Sequence, residues 1–384
     1  APISQPWRRN RRGQRDRRGT MSTPLRRVLV SSSAIQRNVE RLRELAPATD
    51  TMVVVKANGY GHGAELTARA ALAGGASWIG VADIGEALEL RDAGIAAPVL
   101  AWLHAADEEF IEAIARNVTL GVSTIAQLRA VAQAGGGTVH LKIDTGLGRN
   151  GVGREHLAEF LDTAAVLHSS GDLVVDGLMS HVSGTSREAD LAQAEVFIRT
   201  RDLLADLGVT PTHLHIAASA AAIDHPSLRF TMVRFGIAAY GLAPTTSDLE
   251  LGLTPAMRFE SSIVNVKRLA AGDGVSYNFL WTAPTETTVA LVAAGYADGI
   301  PRAATARAEV EIAGVRFPVV GRIAMDQIVV DVGDARVNAG DPVGIWGDPT
   351  GGTPSVSDWA DWADTISYDI VTGIGNRVTR IDLS

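Results

Sequence analysis

From residue 51 to residue 235 the chain alternates short β-branched runs with segments of helical periodicity. That pattern calls for parallel strands joined by crossover helices. Eight strands are expected, at 51–56 (TMVVVK), 78–83, 98–103, 118–123, 138–144, 173–181, 213–219 and 232–235. The segments between them carry apolar stripes, as in 84–94 (IGEALELRDAG), where Ala87, Leu88 and Leu90 precede Gly94. Eight such units in about 200 residues predict an α/β chain built on a TIM-like (β/α)8 barrel, in which chemistry sits just after the strand C-termini.

That rule selects a short set of residues. The first strand ends in Lys56, followed by Asn58, Gly59, Tyr60, Gly61 and His62. The fifth carries Lys142 and runs into Arg149; the sixth ends in Ser180 and His181, the seventh in Ser219, and the eighth contains Arg234 before Gly236 and Ile237. Composition sharpens the selection, because of 35 Lys and Arg residues only Lys56, Lys142 and Lys267 are lysine. Arginine serves as a solvated cation elsewhere, so a surviving lysine is a candidate for work that needs a titratable amine. The last two strand loops of a barrel frequently hold a phosphate. A phosphate site facing an isolated lysine suggests a phosphorylated carbonyl cofactor bound as a Schiff base, and pyridoxal 5'-phosphate fits that description.

Other features exclude chemistry. Without cysteine there is no disulfide, thiolate metal site or thiol nucleophile. No histidine spacing suggests metal ligands, and no uncharged apolar run reaches membrane-spanning length. Residues 1–20 hold seven Arg and one Asp, a net +6 against −14 for the rest of the chain. Residues 1–23 are therefore expected to form a disordered basic arm. The acidic bulk argues against a nucleic-acid partner, and no secretory h-region follows the arginines, so a cytoplasmic location is expected. The barrel is expected over 32–254. From 255 to 384 strands dominate, at 258–269, 287–294, 309–312, 315–320, 328–332 and 342–346, with a helix near 355–364. This mostly-β second domain is expected to take in an early strand at about 24–31.

Eight motifs in order carry a family resemblance: VVKANGYGHG at 54–63, KIDTGLGRNGV at 142–152, SHVSGTS at 180–186, VRFGIAAYGL at 233–242, GVSYN at 274–278, GYADGIPR at 295–302, GRIAMDQ at 321–327 and SYDIVTGIG at 367–375. From about residue 24 onward the sequence resembles the alanine racemases, pyridoxal-phosphate enzymes with a barrel and a C-terminal β domain. The resemblance implies that Lys56 forms the internal aldimine with the cofactor. It implies that Tyr60, Ser219, Gly236, Ile237 and Tyr368 hold the phosphate and that Arg234 bonds the pyridine nitrogen. Arg149, Met325 and Tyr296 would meet the substrate, His181 would bond Arg234, and Asp326 would support catalysis. Lys142 matches a position that carries a carbamate, N6-carboxylysine.

Racemisation needs a base on each face of the α-carbon. The resemblance implies Lys56 on one face and Tyr277 of a second subunit on the other, in a head-to-tail homodimer with shared sites acting on L- and D-alanine and supplying D-alanine for peptidoglycan. Ordinary lysines titrate near 10.4 and tyrosines near 10, so such bases must be lowered to work near neutrality. Alternatives remain at this stage: a broader amino-acid racemase or a non-catalytic pyridoxal-phosphate protein, an unmodified Lys142, and His181 as a core histidine. Several positions depart from the family pattern, and segment 28–34 (VLVSSSA) lacks the Asp usual near the first helix. Ala218 stands where Asn is usual, which suggests weaker cofactor retention; Asn278 replaces a Gly after Tyr277; and Ser186 replaces an Asp at the entrance.

Overall fold

The computed structural model describes residues 24–244 and 251–384; the basic arm expected at 1–23 lies outside them. Two compact units divide the chain, one of residues 30–257, 366–373 and 382–384, the other of 24–29, 258–365 and 374–381 among the described residues.

The first unit is the eight-stranded parallel barrel. After an early strand, β1 (Arg26–Val30), its strands are β2 (Asp50–Val54), β3 (Trp78–Val81), β4 (Val99–Ala101), β5 (Val118–Val122), β6 (Thr138–Lys142), β7 (Val174–Met179), β8 (His213–His215) and β9 (Met232–Phe235). They pair in the order β8-β7-β6-β5-β4-β3-β2-β9. Between β8 and β9 the ring is drawn together by Thr231 N–H donating to Leu214 O and Arg234 N–H to Ala217 O, both at 3.2 Å. Met52, Trp78, Leu100, Met179 and Met232 fill the interior as a packed core.

All eight expected strands form, and most are shorter than expected at their C-terminal ends. The residues just past the pairing serve the next element instead. Asp83, Thr124 and Ser186 each accept a backbone N–H three residues on and so start the helices Ile84–Asp92, Ile125–Gln133 and Arg187–Asp206. Ser186 thus works as a helix cap where the family pattern has Asp. Ser219, expected to end a strand, opens the helix Ser219–Asp224.

The second unit is antiparallel. Its strands are β10 (Met257–Leu269), β11 (Gly274–Val275), β12 (Trp281–Thr282), β13 (Thr287–Val292), β14 (Glu309–Ile312), β15 (Val315–Val320), β16 (Ile328–Gly333), β17 (Pro342–Trp346) and β18 (Thr379–Asp382). The long β10 pairs with β17 through its first half and with β13 through its second, with register shifts at Phe259/Glu260 and Ile263/Asn265. That shared strand closes β13-β16-β15-β14-β17-β10 into a ring, from which β1 and β18 extend. The helix expected at 355–364 runs over Val356–Trp362, capped by Ser355 and Asp358 in a reciprocal box.

Two short segments group otherwise than expected, 366–373 and the last residues 382–384. Residues 366–373 follow the β strands in sequence yet group with the barrel. The cause is local packing: Gly61 lies so close to the Val371 carbonyl that a Cβ there would clash, and the Tyr60 and Tyr368 rings lie 6.1 Å apart.

Candidate active site

The barrel unit holds a cavity of about 650 Å³ that brings together Lys56, Lys142, Arg149, His181, Ser219, Arg234, Gly236, Ile237, Tyr60 and Tyr368. Lys56 does not end a strand as expected; β2 stops two residues earlier and Lys56 opens a left-handed turn. Ala57, Asn58, Gly59, Tyr60 and Gly61 all have positive φ, from 50° to 81°. For the non-glycine residues that conformation costs about 1–2 kcal/mol each, so the surroundings must hold it. His62 Nδ1 lies 3.1 Å from Gly59 O and 2.9 Å from Tyr60 O, while Asn58 Oδ1 accepts from Ala64 N–H at 3.0 Å. Glu86, from the helix after β3, accepts the Ala57 N–H at 2.6 Å. The turn aims the Lys56 amine into the cavity, where burial and the charges of Arg149 and Arg234 lower its affinity for a proton while Glu86 opposes them.

One wall of the cavity can cradle an anion. Ser219 Oγ accepts the Gly236 N–H at 3.0 Å, and a Cβ on Gly236 would meet the Tyr60 hydroxyl at 2.6 Å, so glycine is what lets that hydroxyl approach the backbone. The Tyr60 ring packs at a tilt against Tyr240, whose hydroxyl donates to Val54 O, and burial pushes the Tyr60, Tyr240 and Tyr368 phenols above their usual range. They remain neutral donors. Ala218 adds no polar group to this wall.

Arg234 is fully enclosed and held on several sides. It donates to His215 Nδ1 (2.9 Å), His181 Nδ1 (3.0 Å), Ser180 O (2.9 Å) and Ile216 O (3.1 Å). Burial brings its pKa down to about 10, so it stays charged at neutral pH. His181 falls to about 3 through burial and the charge of Arg234, and His215 also falls well below its usual value. Both rings are neutral, so the positive charge of this network belongs to Arg234. Because each Nδ1 accepts from Arg234, each Nε2 carries the proton. His215 Nε2 then donates to His140 Nδ1 at 2.9 Å, and His140 is itself neutral with a pKa of about 3.

Lys142 closes β6 and is buried; burial and then Arg234, Arg149 and Lys56 lower its pKa to about 7. The loop that carries Arg149 is fixed by Asp144 Oδ1, which accepts from Gly146 and Gly148, and by Thr145 against Ser180 at 2.9 Å. Among the described residues no cluster of three His, Asp or Glu could hold a metal.

The second unit carries the other expected residues. Tyr277, Tyr296, Met325 and Asp326 line a separate cavity of about 470 Å³ with Arg302 and Arg322. Tyr277 is 68% exposed, between Ser276 and Asn278 at φ of 60° and 62°. Asn at 278 thus takes the left-handed conformation that the usual glycine would supply. Asp326 is held by Arg377 at 2.6 Å, which also binds the fully buried Asp298.

Several residues escape sequence reading. His140 and His215 sit on different strands, and only the alternate spacing of His213 and His215 hints that one faces inward. Trp102, after β4, lines the cavity between Gly80 and Gly121, where an added Cβ would meet its atoms at 2.9 and 2.8 Å. Glu86 resembles an ordinary helix N3 acid.

Residues 30–244 match the family described as "Alanine racemase, N-terminal domain" and residues 256–382 match "Alanine racemase, C-terminal domain". The chain belongs to the alanine racemase family. An alanine racemase of Thermobifida fusca is 44% identical over 92% of this chain and 96% of its own length, and one of Mycolicibacterium smegmatis is 45% identical over 92% and 93%. The crystal structure of alanine racemase from Streptomyces lavendulae superposes with a TM-score of 0.92 at 40% identity, covering 94% of this chain and 98% of that one. That of Bacillus anthracis with bound L-Ala-P gives 0.86 at 32%, covering 94% and 96%. The barrel and the mostly-β unit are those of the alanine racemase fold.

Proposed function

We propose that this chain interconverts L- and D-alanine with pyridoxal 5'-phosphate, as a head-to-tail homodimer with shared sites that supplies D-alanine for peptidoglycan. The observation that carries the reading is the convergence on one cavity of the Lys56 amine, the Tyr60–Ser219–Gly236 cradle and the enclosed Arg234 cation. These residues fit the cofactor: the hydroxyls and the backbone of Gly236 and Ile237 suit its phosphate, with Tyr368 beside them, and Arg234 suits its ring nitrogen as a donor that stays protonated. When bound, the cofactor supplies a carbonyl that links amines covalently and a ring that draws electron density from the α-carbon.

The chain's own residues do the rest. Lys56 Nζ takes or returns the α-proton on one face, aided by the depressed proton affinity that its cavity imposes. Tyr277 Oη of a second copy serves the other face. Arg149 and Met325 meet the substrate carboxylate, Tyr296 lines the entrance with Arg302 and Arg322, and Asp326, paired with Arg377, supports catalysis. His181 keeps Arg234 in position.

Racemisation rates across a panel of amino acids, with borohydride trapping of the cofactor, test the reading. Fast turnover of alanine, slow turnover of larger residues and a label on Lys56 support it; a label elsewhere overturns the site, and equal rates across the panel make the enzyme a broad racemase.

Lys142 as a carbamate belongs to the same proposal. When unmodified and protonated, the amine is a buried cation beside Arg149 and Arg234, which disfavour its charge. Attack of the neutral amine on carbon dioxide forms an N–C bond and releases a proton, leaving an anion that attracts the same arginines. A pKa of about 7 leaves much of the amine neutral at physiological pH. With carbon-13 bicarbonate, a carbamate signal is expected to grow as pH rises through about 7 and to vanish in Lys142→Arg. Its absence at mildly alkaline pH would leave Lys142 an ordinary buried amine.

A further inference from the structure

We propose that Glu86 is the positioning residue for Lys56: its carboxylate ties the peptide after Lys56 to the neighbouring βα turn and places a negative charge against the amine. The inference rests on the reading of Lys56 as the cofactor lysine.

Lys56 sits at the start of a left-handed turn, whose internal bonds include Gly59 N–H to Val55 O (2.7 Å) and Gly61 N–H to Ala57 O (3.0 Å). As at any helix start, the first N–H groups have no partner within the turn. That of Ala57 is satisfied from outside, by Glu86 Oε1 at 2.6 Å. The other oxygen, Oε2, accepts from Ala82 N–H at 2.8 Å, and the backbone of Glu86 is pinned in turn, its N–H donating to Asp83 Oδ1 at 2.9 Å. In an ordinary capping box the N3 glutamate reaches back to the N-cap N–H. Here Asp83 caps its helix normally, but the N3 carboxylate is diverted to one N–H of its own loop and one of the lysine turn. The diversion spends both oxygens on linking β3's exit to Lys56, in a turn that β2 alone does not hold.

Charge adds a second function. The groups facing Lys56 are Arg149 from the loop after β6, Arg234 on β9, Lys142 at the end of β6, His181 after β7, Tyr60 and Tyr368, and Glu86. His181 is neutral, the two phenols are neutral, and the arginines are positive. Glu86 is the carboxylate that opposes the arginines at the amine. Glu86 does not line the cavity and reaches Lys56 through the Ala57 N–H.

The test separates tie from charge. Apoenzyme is mixed with pyridoxal phosphate across a pH series, the adduct is trapped with borohydride, and the labelled peptide is mapped. In Glu86→Gln the pH midpoint for labelling Lys56 is expected to fall by about one unit, because a carboxylate that favoured the protonated amine is gone. In Glu86→Asp the charge stays but the shorter side chain cannot span both N–H groups; the midpoint should hold while the plateau labelling rate drops about tenfold, as for loss of a charge-assisted hydrogen bond. In both variants kcat is expected to fall with KM for alanine unchanged. A purely structural role would lower melting temperature in both and leave the midpoint in place. Wild-type midpoint and plateau in both variants, with the label on Lys56, would overturn the role of Glu86. A label on another residue in the wild type would overturn the cofactor reading, and the inference with it.

Discussion

Lys56→Arg is expected to lower racemisation by about 10³-fold or more, the scale of a lost general base, and to yield a colourless protein. The chain offers an unusually complete control set, because each of its three lysines can be replaced in turn. Lys56 lies in the cavity with its proton affinity reduced by burial, Arg149 and Arg234. A guanidinium there would keep its charge, could not remove a proton and could not join covalently to a carbonyl as an amine does. Lys142→Arg would fix a permanent cation where the fold already disfavours one, so an intermediate loss is expected. Lys267 is exposed on β10 in the second unit, and Lys267→Arg should be silent. Initial rates on L-alanine and visible absorbance after purification read all three. If Lys56→Arg kept more than about a tenth of the wild-type rate, the amine would be doing neither task.

The barrel is legible because its strands are continuous β-branched runs buried on both faces, and these survive any detail of the loops. Their ends are not, because pairing competes there with capping. Asp83 and Ser219 read as strand residues but serve helices, and the turn at Lys56 is set by contacts distant in sequence: Glu86 on Ala57 and Val371 against Gly61. No local propensity favours a left-handed run through Ala57 and Tyr60. The same reason hides Glu86, whose segment EALEL looks like any helix face, and the His140–His215 contact, which joins β6 to β8 across intervening β7. Residues 366–373 follow β strands in sequence and therefore read as part of the β domain, although tyrosine and glycine packing draws them to the barrel. Motif resemblance supplies expected roles for Lys56, Ser219 and Arg234; the structure adds what holds each of them.

Mixing two inactive variants is expected to restore activity. Lys56→Ala lacks the base on one face and Tyr277→Phe the base on the other, so each alone should lose roughly 10²–10⁴-fold. In a homodimer whose sites each combine Lys56 of one subunit with Tyr277 of the other, a hybrid of the two variants has one site missing both groups and one site intact. Random exchange of equal amounts makes about half the dimers hybrid, so recovered activity should approach about a quarter of wild type. The surface of the second unit supports the expectation: Tyr277, Phe279 and Leu280, with Asn278 between the first two, are 68%, 66% and 52% exposed, an apolar cluster of the kind that marks an interaction surface. Subunits would be exchanged by brief mild denaturation and refolding with cofactor, with each variant taken alone through the same treatment. Hybrids can be isolated by a tag on one variant, which raises the expected rate to about half of wild type per dimer. Recovery near those values requires that Lys56 and Tyr277 come from different chains. Isolated hybrids no more active than their parents would mean that both groups serve within one chain, and the head-to-tail arrangement would have to be abandoned.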